Sequence, residues 1–176
     1  MNRRTAIRNV VVISAGAALL PSCSQQDPAG AIPLKNISLT GPQENMVAEL
    51  SETIIPKTKN FIGAKDLKAH EFVLTMLDDC TSPEEQKIFI NGLQVFEDTC
   101  KKKFDTSFAK CSAQQRSELL KEMEASKDEK DNGVKFYRTT KRYTLQSFTS
   151  AEAYMMNVRK YKMVPGPIYK GCVPVS

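Results

Sequence analysis

Apolar residues recur three and four positions apart from residue 42 to residue 158, which is the period of an α-helix with one buried face. This spacing predicts helices over residues 42–54, 66–79, 83–103, 112–123 and 134–147, followed by a last helix that begins at Thr149 or Ser150. The apolar positions expected in the core are Met46, Val47, Leu50, Ile54, Leu67, Val73, Leu74, Leu77, Phe89, Leu93, Phe96, Cys100, Leu119, Leu120, Met123, Val134, Tyr137, Tyr143, Leu145, Tyr154, Met155 and Val158. No segment shows the alternation of a strand. The pattern therefore predicts an all-α fold, a single small domain of about five to six helices.

Two of these helices have a clear start signal. Ser82 is followed by proline at the first helical position and by Glu85 at the third, which is a capping box. Ser112 and Gln115 repeat the same spacing. These signals place the starts of the third and fourth helices at Pro83 and just after Ser112.

The C-terminal segment KYKMVPGPIYKGCVPVS contains three prolines and two glycines, so it cannot continue as a helix. It is also too apolar for a free disordered end. We expect an irregular tail that lies on a surface, either of its own domain or of a partner. The candidate partner-facing residues of this tail are Tyr161, Val164, Pro165, Gly166 and Tyr169.

The first 22 residues differ in character from the rest of the chain. They contain three arginines, Arg3, Arg4 and Arg8, no acidic residue, and an uninterrupted apolar or small run of 11 residues from residue 10 to residue 20. A helix needs about 20 residues to cross a bilayer. The run is therefore too short for a membrane span and fits the apolar part of an export signal over residues 1–22.

Two short stretches refine this interpretation. NRRTAIR, which contains Arg3 and Arg4, resembles a twin-arginine signal, the kind that exports folded proteins. LPSC, which ends at Cys23, resembles a bacterial lipobox, in which the cysteine is lipidated and becomes the new N-terminus. Ordinary cleavage nearby, which would leave Cys23 as a free thiol, is the alternative. The sequence thus predicts an exported protein that is lipid-anchored to a membrane of the cell envelope and faces the periplasm.

After the signal, residues 23–37 are polar with prolines and a glycine, and we expect them to form a flexible tether to a helical domain over residues 38–176. The formal net charge of the whole chain is +5, and removal of the three leader arginines leaves +2. So small an excess gives no basis for nucleic-acid binding.

Export to an oxidising compartment makes Cys80, Cys100, Cys111 and Cys172 candidate disulfide cysteines, with three possible pairings. Cys100 and Cys111 would lie about 16 Å apart on one straight helix, so they can pair only if the chain bends near residues 104–107. A Cys80–Cys172 bond would fix the tail to the helices. The alternative is that some of the four are buried thiols.

Catalytic motifs are missing from the sequence. His70 is the only histidine, and neither a nucleophile elbow nor a glycine-rich phosphate loop accompanies it. Asp78 and Asp79 are adjacent on a helix and point in different directions, so we expect them to cap the helix end or meet a loop. We predict no catalytic, metal or cofactor site in this chain.

Two stretches together resemble a known family. They are LSETIIPKTKNFIGAKDLKAHEFVLTMLDDC, over residues 50–80, and YTLQSFTSAEAYMMNVRKYKMVPGPIYKGCVPVS, over residues 143–176. The features that match are E-T-I-I-P at the end of a helix, a G-A step before the next helix, F-T-S before a short helix, and V-P-G with Y-x-G-C-x-P at the end. With these features the chain resembles the gluconate 2-dehydrogenase subunit 3 family, the small or gamma subunit.

The resemblance implies a partner and a role. Members of this family accompany a large FAD-containing dehydrogenase of the GMC class, often with a cytochrome c subunit. By this resemblance the chain is a non-catalytic accessory subunit that binds no cofactor itself and assists co-export, stability and membrane tethering of the catalytic subunit. The alternative from the sequence is a stand-alone structural or binding lipoprotein of the cell envelope.

Overall fold

A computed structural model describes residues 29–162 of the chain. The helices are α1 (Gly41–Ile54), α2 (Ala69–Cys80), α3 (Pro83–Phe104), α4 (Ala113–Ala125), α5 (Asn132–Ser150) and α6 (Glu152–Asn157), with a 3₁₀ turn at Phe108–Lys110. No strand occurs among these residues, so the all-α prediction and the number of helices are confirmed. Helix α5 packs against all five other helices and is the central element of the domain.

The two capping boxes predicted from the sequence are present. The Ser82 hydroxyl accepts a hydrogen bond from the Glu85 amide at 3.3 Å, and Ser112 accepts one from Gln115 at the same distance. Helix α3 ends with three lysines in its last turn, where cations suit the helix dipole. Asp105, with a φ of 55°, then turns the chain out of the helix in the left-handed conformation.

Three other helix boundaries differ from the prediction. Helix α2 begins at Ala69, three residues later than expected, because Lys68 adopts a left-handed conformation with φ 52° and residues 64–68 form a turn. Helix α5 starts two residues earlier than expected, where the Asp131 carboxylate accepts a hydrogen bond from the Gly133 amide at 2.7 Å. It also ends three residues later than expected, at Ser150.

The late end of α5 leaves only a short last helix. The Thr149 hydroxyl donates to the Leu145 carbonyl at 2.8 Å, and the Ser150 hydroxyl donates to the Gln146 carbonyl at 2.7 Å. Both side chains therefore hydrogen bond back into α5, and the expectation that the last helix begins at one of these two residues is wrong. Helix α6 consequently has six residues, no side-chain cap, and no buried residue.

Most of the predicted core is buried, and its centre is aromatic. Phe136 on α5 lies edge-on to Phe89, with ring centroids 4.8 Å apart, and is 5.4 Å from Phe96. The periodicity overlooked Phe136, and it also overlooked Thr140 and Thr144, which are fully buried. The predictions that Leu145 and Val158 belong to the core are wrong, since both are exposed. Ile54, Leu67, Leu120, Tyr154 and Met155 are half-buried.

Helices α3 and α5 approach each other closely at Gly92. A Cβ atom at this position would lie 2.1 Å from the Asn132 carbonyl oxygen and 2.8 Å from the Cβ of Phe136. The neighbouring backbone therefore requires glycine here. Glycine lowers the intrinsic helix propensity of α3, but it allows the two helices to pack closely.

Residues 29–40 form what we call the N-terminal arm, which lies along the helices. Ala29 and Thr40 make an isolated antiparallel bridge, and the Gly30 amide donates to the Leu39 carbonyl at 2.9 Å. Ile37 and Leu39 are buried in the core. We predicted a flexible tether through residue 37, and this is wrong for residues 29–37, which are fixed to the domain.

The buried carboxylate of Asp78, at the end of α2, holds the arm. It accepts the backbone amides of Lys35, Asn36 and Ile37 at 2.7, 2.7 and 2.9 Å. Burial by itself would raise the pKa of Asp78, but the three amide donors favour the ionised form more strongly and hold the pKa below its ordinary value of 3.8. The expectation that this residue meets a loop is confirmed, and its carboxylate anchors the N-terminal arm to the end of α2.

Candidate partner surface

The structure describes only part of the predicted site. Tyr161 lies just after α6 and is exposed, as expected for a partner-facing residue. The export arginines, the lipidation site, most of the tail and one cysteine lie outside the described residues: Arg3, Arg4, Cys23, Val164, Pro165, Gly166, Tyr169 and Cys172. These residues therefore keep the standing of predictions from the sequence.

Exposed apolar side chains concentrate at one end of the chain. Within residues 29–162, the exposed large hydrophobic residues are Leu145, Met156, Val158 and Tyr161, with 42, 54, 53 and 49% of their surface exposed. All four lie between residues 145 and 161, on α5, on α6 and directly after it, and these two helices pack against each other. We call this group the C-terminal apolar surface.

Helix α6 is held in place by aromatic packing. The ring of Phe148, near the end of α5, lies between Phe61 and Tyr154, with centroids 5.4 Å from each. After α6 the chain turns at Lys160, which has a φ of 52°, and the Tyr161 amide donates to the Met155 carbonyl at 2.9 Å. These contacts position the C-terminal apolar surface on ordered backbone, as a docking surface requires.

The charges next to this surface are mainly positive. Arg159, Lys160 and Lys162 are exposed and alternate with its apolar residues. Arg142, on the preceding helix, stacks over the ring of Tyr143 with its guanidinium carbon 4.6 Å from the centroid. An apolar centre with a basic rim complements a protein surface that has an apolar centre and an acidic rim.

The other candidate groups are arranged as follows. His70 is half-buried, its Nδ1 has no hydrogen-bond partner, and burial lowers its pKa. No group of three or more His, Cys, Asp or Glu side chains between residues 29 and 162 could hold a metal ion. None of the helices in this part of the chain is both long and apolar enough to cross a membrane.

The described cysteines occupy two different environments. Cys80 is exposed at the end of α2, whereas Cys100 and Cys111 are buried thiols whose sulfur atoms lie 3.3 Å apart. The bend that their contact required is present, because α3 ends at Phe104 and the chain reverses before the 3₁₀ turn. The structure thus brings together one pair of the four candidate cysteines.

Sequence reasoning missed the C-terminal apolar surface because it assigned two of its residues to the core. Periodicity reports that a helix has an apolar face, but it does not distinguish a face covered by the same chain from one covered by another. The sequence did contain a signal for this surface. Tyr154, Met155 and Met156 follow one another in α6, and successive residues of a helix point in different directions, so one packed face cannot bury all three.

Comparison with known proteins gives one result. A family model described as gluconate 2-dehydrogenase subunit 3 matches residues 42–166, which include α2 to α6, all of α1 except its first residue, and the C-terminal apolar surface. Neither the curated proteins nor the solved structures contain a significant match to the chain.

Proposed function

This chain belongs to the gluconate 2-dehydrogenase subunit 3 family, and from that premise we propose that it is a non-catalytic accessory subunit of a flavin-dependent dehydrogenase of the GMC class. Its substrate would be a sugar or an alcohol, and the FAD would reside in the large partner subunit. A cytochrome c subunit would complete the complex. The family match supports a subunit of a gluconate 2-dehydrogenase complex, and the resemblance found in the sequence supplies the flavin, the GMC class and the cytochrome of the proposal.

The observation that carries the proposal is the C-terminal apolar surface. Exposed apolar groups that lie together on ordered backbone mark protein–protein contact sites. Met156, Val158 and Tyr161 are each about half exposed, and the family match extends across them to residue 166. We propose that the flavoprotein covers this surface and the tail that follows it, including Val164, Pro165, Gly166 and Tyr169.

The leader supports the cellular part of the proposal. A twin-arginine signal at Arg3 and Arg4 would export the chain already folded, which allows a flavoprotein to travel with it. Lipidation of Cys23 would then attach the complex to a membrane facing the periplasm, with about 0.8 kcal/mol contributed by each buried CH₂ group. The accessory subunit would thereby assist export, stability and membrane tethering of its catalytic partner.

The experiment is an affinity purification from membranes in mild detergent. A tag inserted after Glu129, in the exposed connection between α4 and α5, leaves both termini unmodified. We expect a large chain with the absorbance spectrum of FAD to elute in equal amount with the tagged subunit. The tagged subunit alone should show no flavin absorbance after the two chains are separated.

Two charge substitutions test the surface directly. Met156→Glu and Val158→Glu should each reduce the recovered flavin at least tenfold, because a carboxylate would be desolvated at the interface. Gln114→Glu, which adds the same charge to an exposed position on α4, is the matched control and should retain it. A monodisperse wild-type protein that brings down no flavoprotein would overturn the proposal and favour the stand-alone lipoprotein. Equal flavin recovery with all variants would refute the surface assignment alone.

A further inference from the structure

The two buried cysteines meet across a reversal of the chain. Cys100 lies in the last turns of α3 and is fully buried, and Cys111 follows the 3₁₀ turn with 6% of its surface exposed. Their sulfur atoms are 3.3 Å apart. A disulfide bond is about 2.05 Å long, so the sulfurs need to approach by only about 1.2 Å to become bonded.

The loop between the two cysteines is fixed by several contacts. Phe108, at its centre, is fully buried against Phe96, with centroids 5.2 Å apart, and its amide donates to the Glu97 carboxylate at 3.1 Å. Arg116 donates to the Ala109 carbonyl at 2.7 Å and lies over the Phe108 ring. The contact between the cysteines is therefore built by the fold and does not depend on a sulfur–sulfur bond.

We propose that Cys100 and Cys111 are oxidised to an intramolecular disulfide after the chain leaves the cytoplasm. This inference rests on the proposed export for its oxidising environment, and on the structure for the pairing. It selects one of the three pairings that the sequence left open. Cys80, which is exposed at the end of α2, takes no part in this bond.

The reaction is a thiol–disulfide exchange with a disulfide-carrying oxidant, such as a thiol oxidoreductase of the envelope. The Cys111 thiolate attacks one sulfur of the oxidant, which forms a mixed disulfide and releases a thiolate. The Cys100 thiolate then attacks the Cys111 sulfur of the mixed disulfide, which forms the Cys100–Cys111 bond and releases the oxidant's remaining sulfur as its second thiolate. In total, two cysteine thiols lose two protons and two electrons, and the oxidant's disulfide becomes two thiols.

The environment of the two sulfurs assigns this order. Burial raises the pKa of the Cys100 thiol to about 12, and the hydrogen bond with Cys111 adds to the effect. A thiol in that state is a poor first nucleophile. Of the two buried sulfurs, Cys111 belongs to the residue that retains 6% exposure whereas Cys100 has none, so a small opening of the loop would expose Cys111 first, and Cys100 completes the bond from the interior.

Peptide mapping tests the pairing. Free thiols are blocked with iodoacetamide before lysis, the full chain is purified from the envelope, and it is digested with trypsin without a reducing agent. Cleavage at the intervening lysines separates residues 88–101 from residues 111–116. We expect these two peptides to be linked, with the link lost on reduction. Recovery of both peptides alkylated and unlinked, or linked to any other cysteine, overturns the proposal.

A second arm separates this inference from the proposed export. The full chain is unfolded in urea with its thiols reduced and then refolded in a glutathione redox buffer, where every pairing competes. Linkage of Cys100 to Cys111 supports the inference even if fractionation finds the cellular protein reduced in the cytoplasm, a result that would refute export alone. A mixture of pairings, or no bond, refutes the inference whatever the cellular location.

Thermal unfolding of cysteine variants tests the same disulfide without peptide mapping. Closing a loop of this length should raise the unfolding temperature of the oxidised wild type by about 10 °C relative to the reduced protein. Cys111→Ser should abolish this difference between oxidised and reduced samples. Cys80→Ser is the matched control and should retain it. An unchanged unfolding temperature on reduction of the wild type would count against the bond.

Discussion

The contact between α3 and α5 at Gly92 is the most sensitive point of the fold, and Gly92→Ala perturbs it with a single methyl group. The added Cβ would lie 2.1 Å from the carbonyl oxygen of Asn132 and 2.9 Å from its carbonyl carbon. Both are backbone atoms and cannot rotate away as the end of a side chain could. The two helices would have to separate, which would loosen the packing of Phe136 against Phe89 and Phe96.

Two opposing effects determine how much Gly92→Ala changes the free energy of unfolding. Alanine is better than glycine in the middle of a helix by about 0.8–1.0 kcal/mol. Insertion of an extra carbon into a well-packed core costs about 1–3 kcal/mol, and a clash with backbone belongs at the upper end of that range. We therefore expect a net loss of about 2 kcal/mol in the free energy of unfolding. The unfolding temperature should fall by about 7 °C.

The assay is urea unfolding followed by circular dichroism, with a control variant on the same helix. Asn91→Ala replaces the preceding residue, which is exposed, and should raise stability by no more than about 0.7 kcal/mol through helix propensity alone. If Gly92→Ala is as stable as the wild type or more stable, α3 and α5 are not in the close contact described, and the argument for glycine at this position fails.

Three further predictions concern the N-terminal arm and the buried hydroxyl groups. Asp78→Asn removes the carboxylate that accepts three arm amides, so trypsin cleavage after Lys35 should accelerate more than tenfold; an unchanged rate would mean that other contacts hold the arm. Because the pKa of Asp78 is lowered, its contribution to the free energy of unfolding is present above about pH 4 and is lost as the pH falls through the lowered value. Urea titrations between about pH 5 and pH 2 should therefore show that the free energy of unfolding falls less in Asp78→Asn than in the wild type. An equal fall in both proteins would contradict this linkage. Ser51 and Thr144 share a buried hydrogen bond of 3.1 Å, so Ser51→Ala or Thr144→Val alone should cost about 1–2 kcal/mol while the double variant costs less than the sum; strict additivity would exclude the coupling.

Features that depend on neighbours in the sequence could be predicted before the structure was known. Ser82 and Ser112 cap their helices through residues three positions away, so the two starts follow from local spacing. The buried faces of α1 to α4 likewise follow from the helical period, because a helix that packs on one side needs only that stripe of apolar residues.

Features that depend on distant residues could not be predicted in this way. Asp78 meets residues 35–37 about forty positions away, and nothing in either segment announces the other. The requirement for glycine at position 92 comes from the backbone of Asn132 on another helix. Burial of Thr144 in place of Leu145 also depends on a distant residue, because the Thr144 hydroxyl shares a hydrogen bond of 3.1 Å with Ser51 on α1.

The candidate site was predicted in part. Tyr161 was assigned to a partner on composition, and it is exposed. Leu145 and Val158 were placed in the core because apolar residues at helical spacing are usually covered by their own chain. Under the proposed function a second polypeptide covers them, and a single sequence gives that information only through family membership.

In a lipid-anchored chain, as proposed, the N-terminal arm would limit how far the domain can stand from a bilayer. With Cys23 lipidated as proposed, six residue steps lead from the anchor to Ala29, a reach of about 20 Å at full extension. A slack spacer through residue 37 would have allowed about 50 Å. The Ala29–Thr40 bridge and the hydrogen bonds from the Ala31 and Ile32 amides to the Glu44 carboxylate shorten this reach to less than half, so a pull on the lipid would first load the start of α1. A flavoprotein carried by this subunit would then stay within a short distance of the membrane surface.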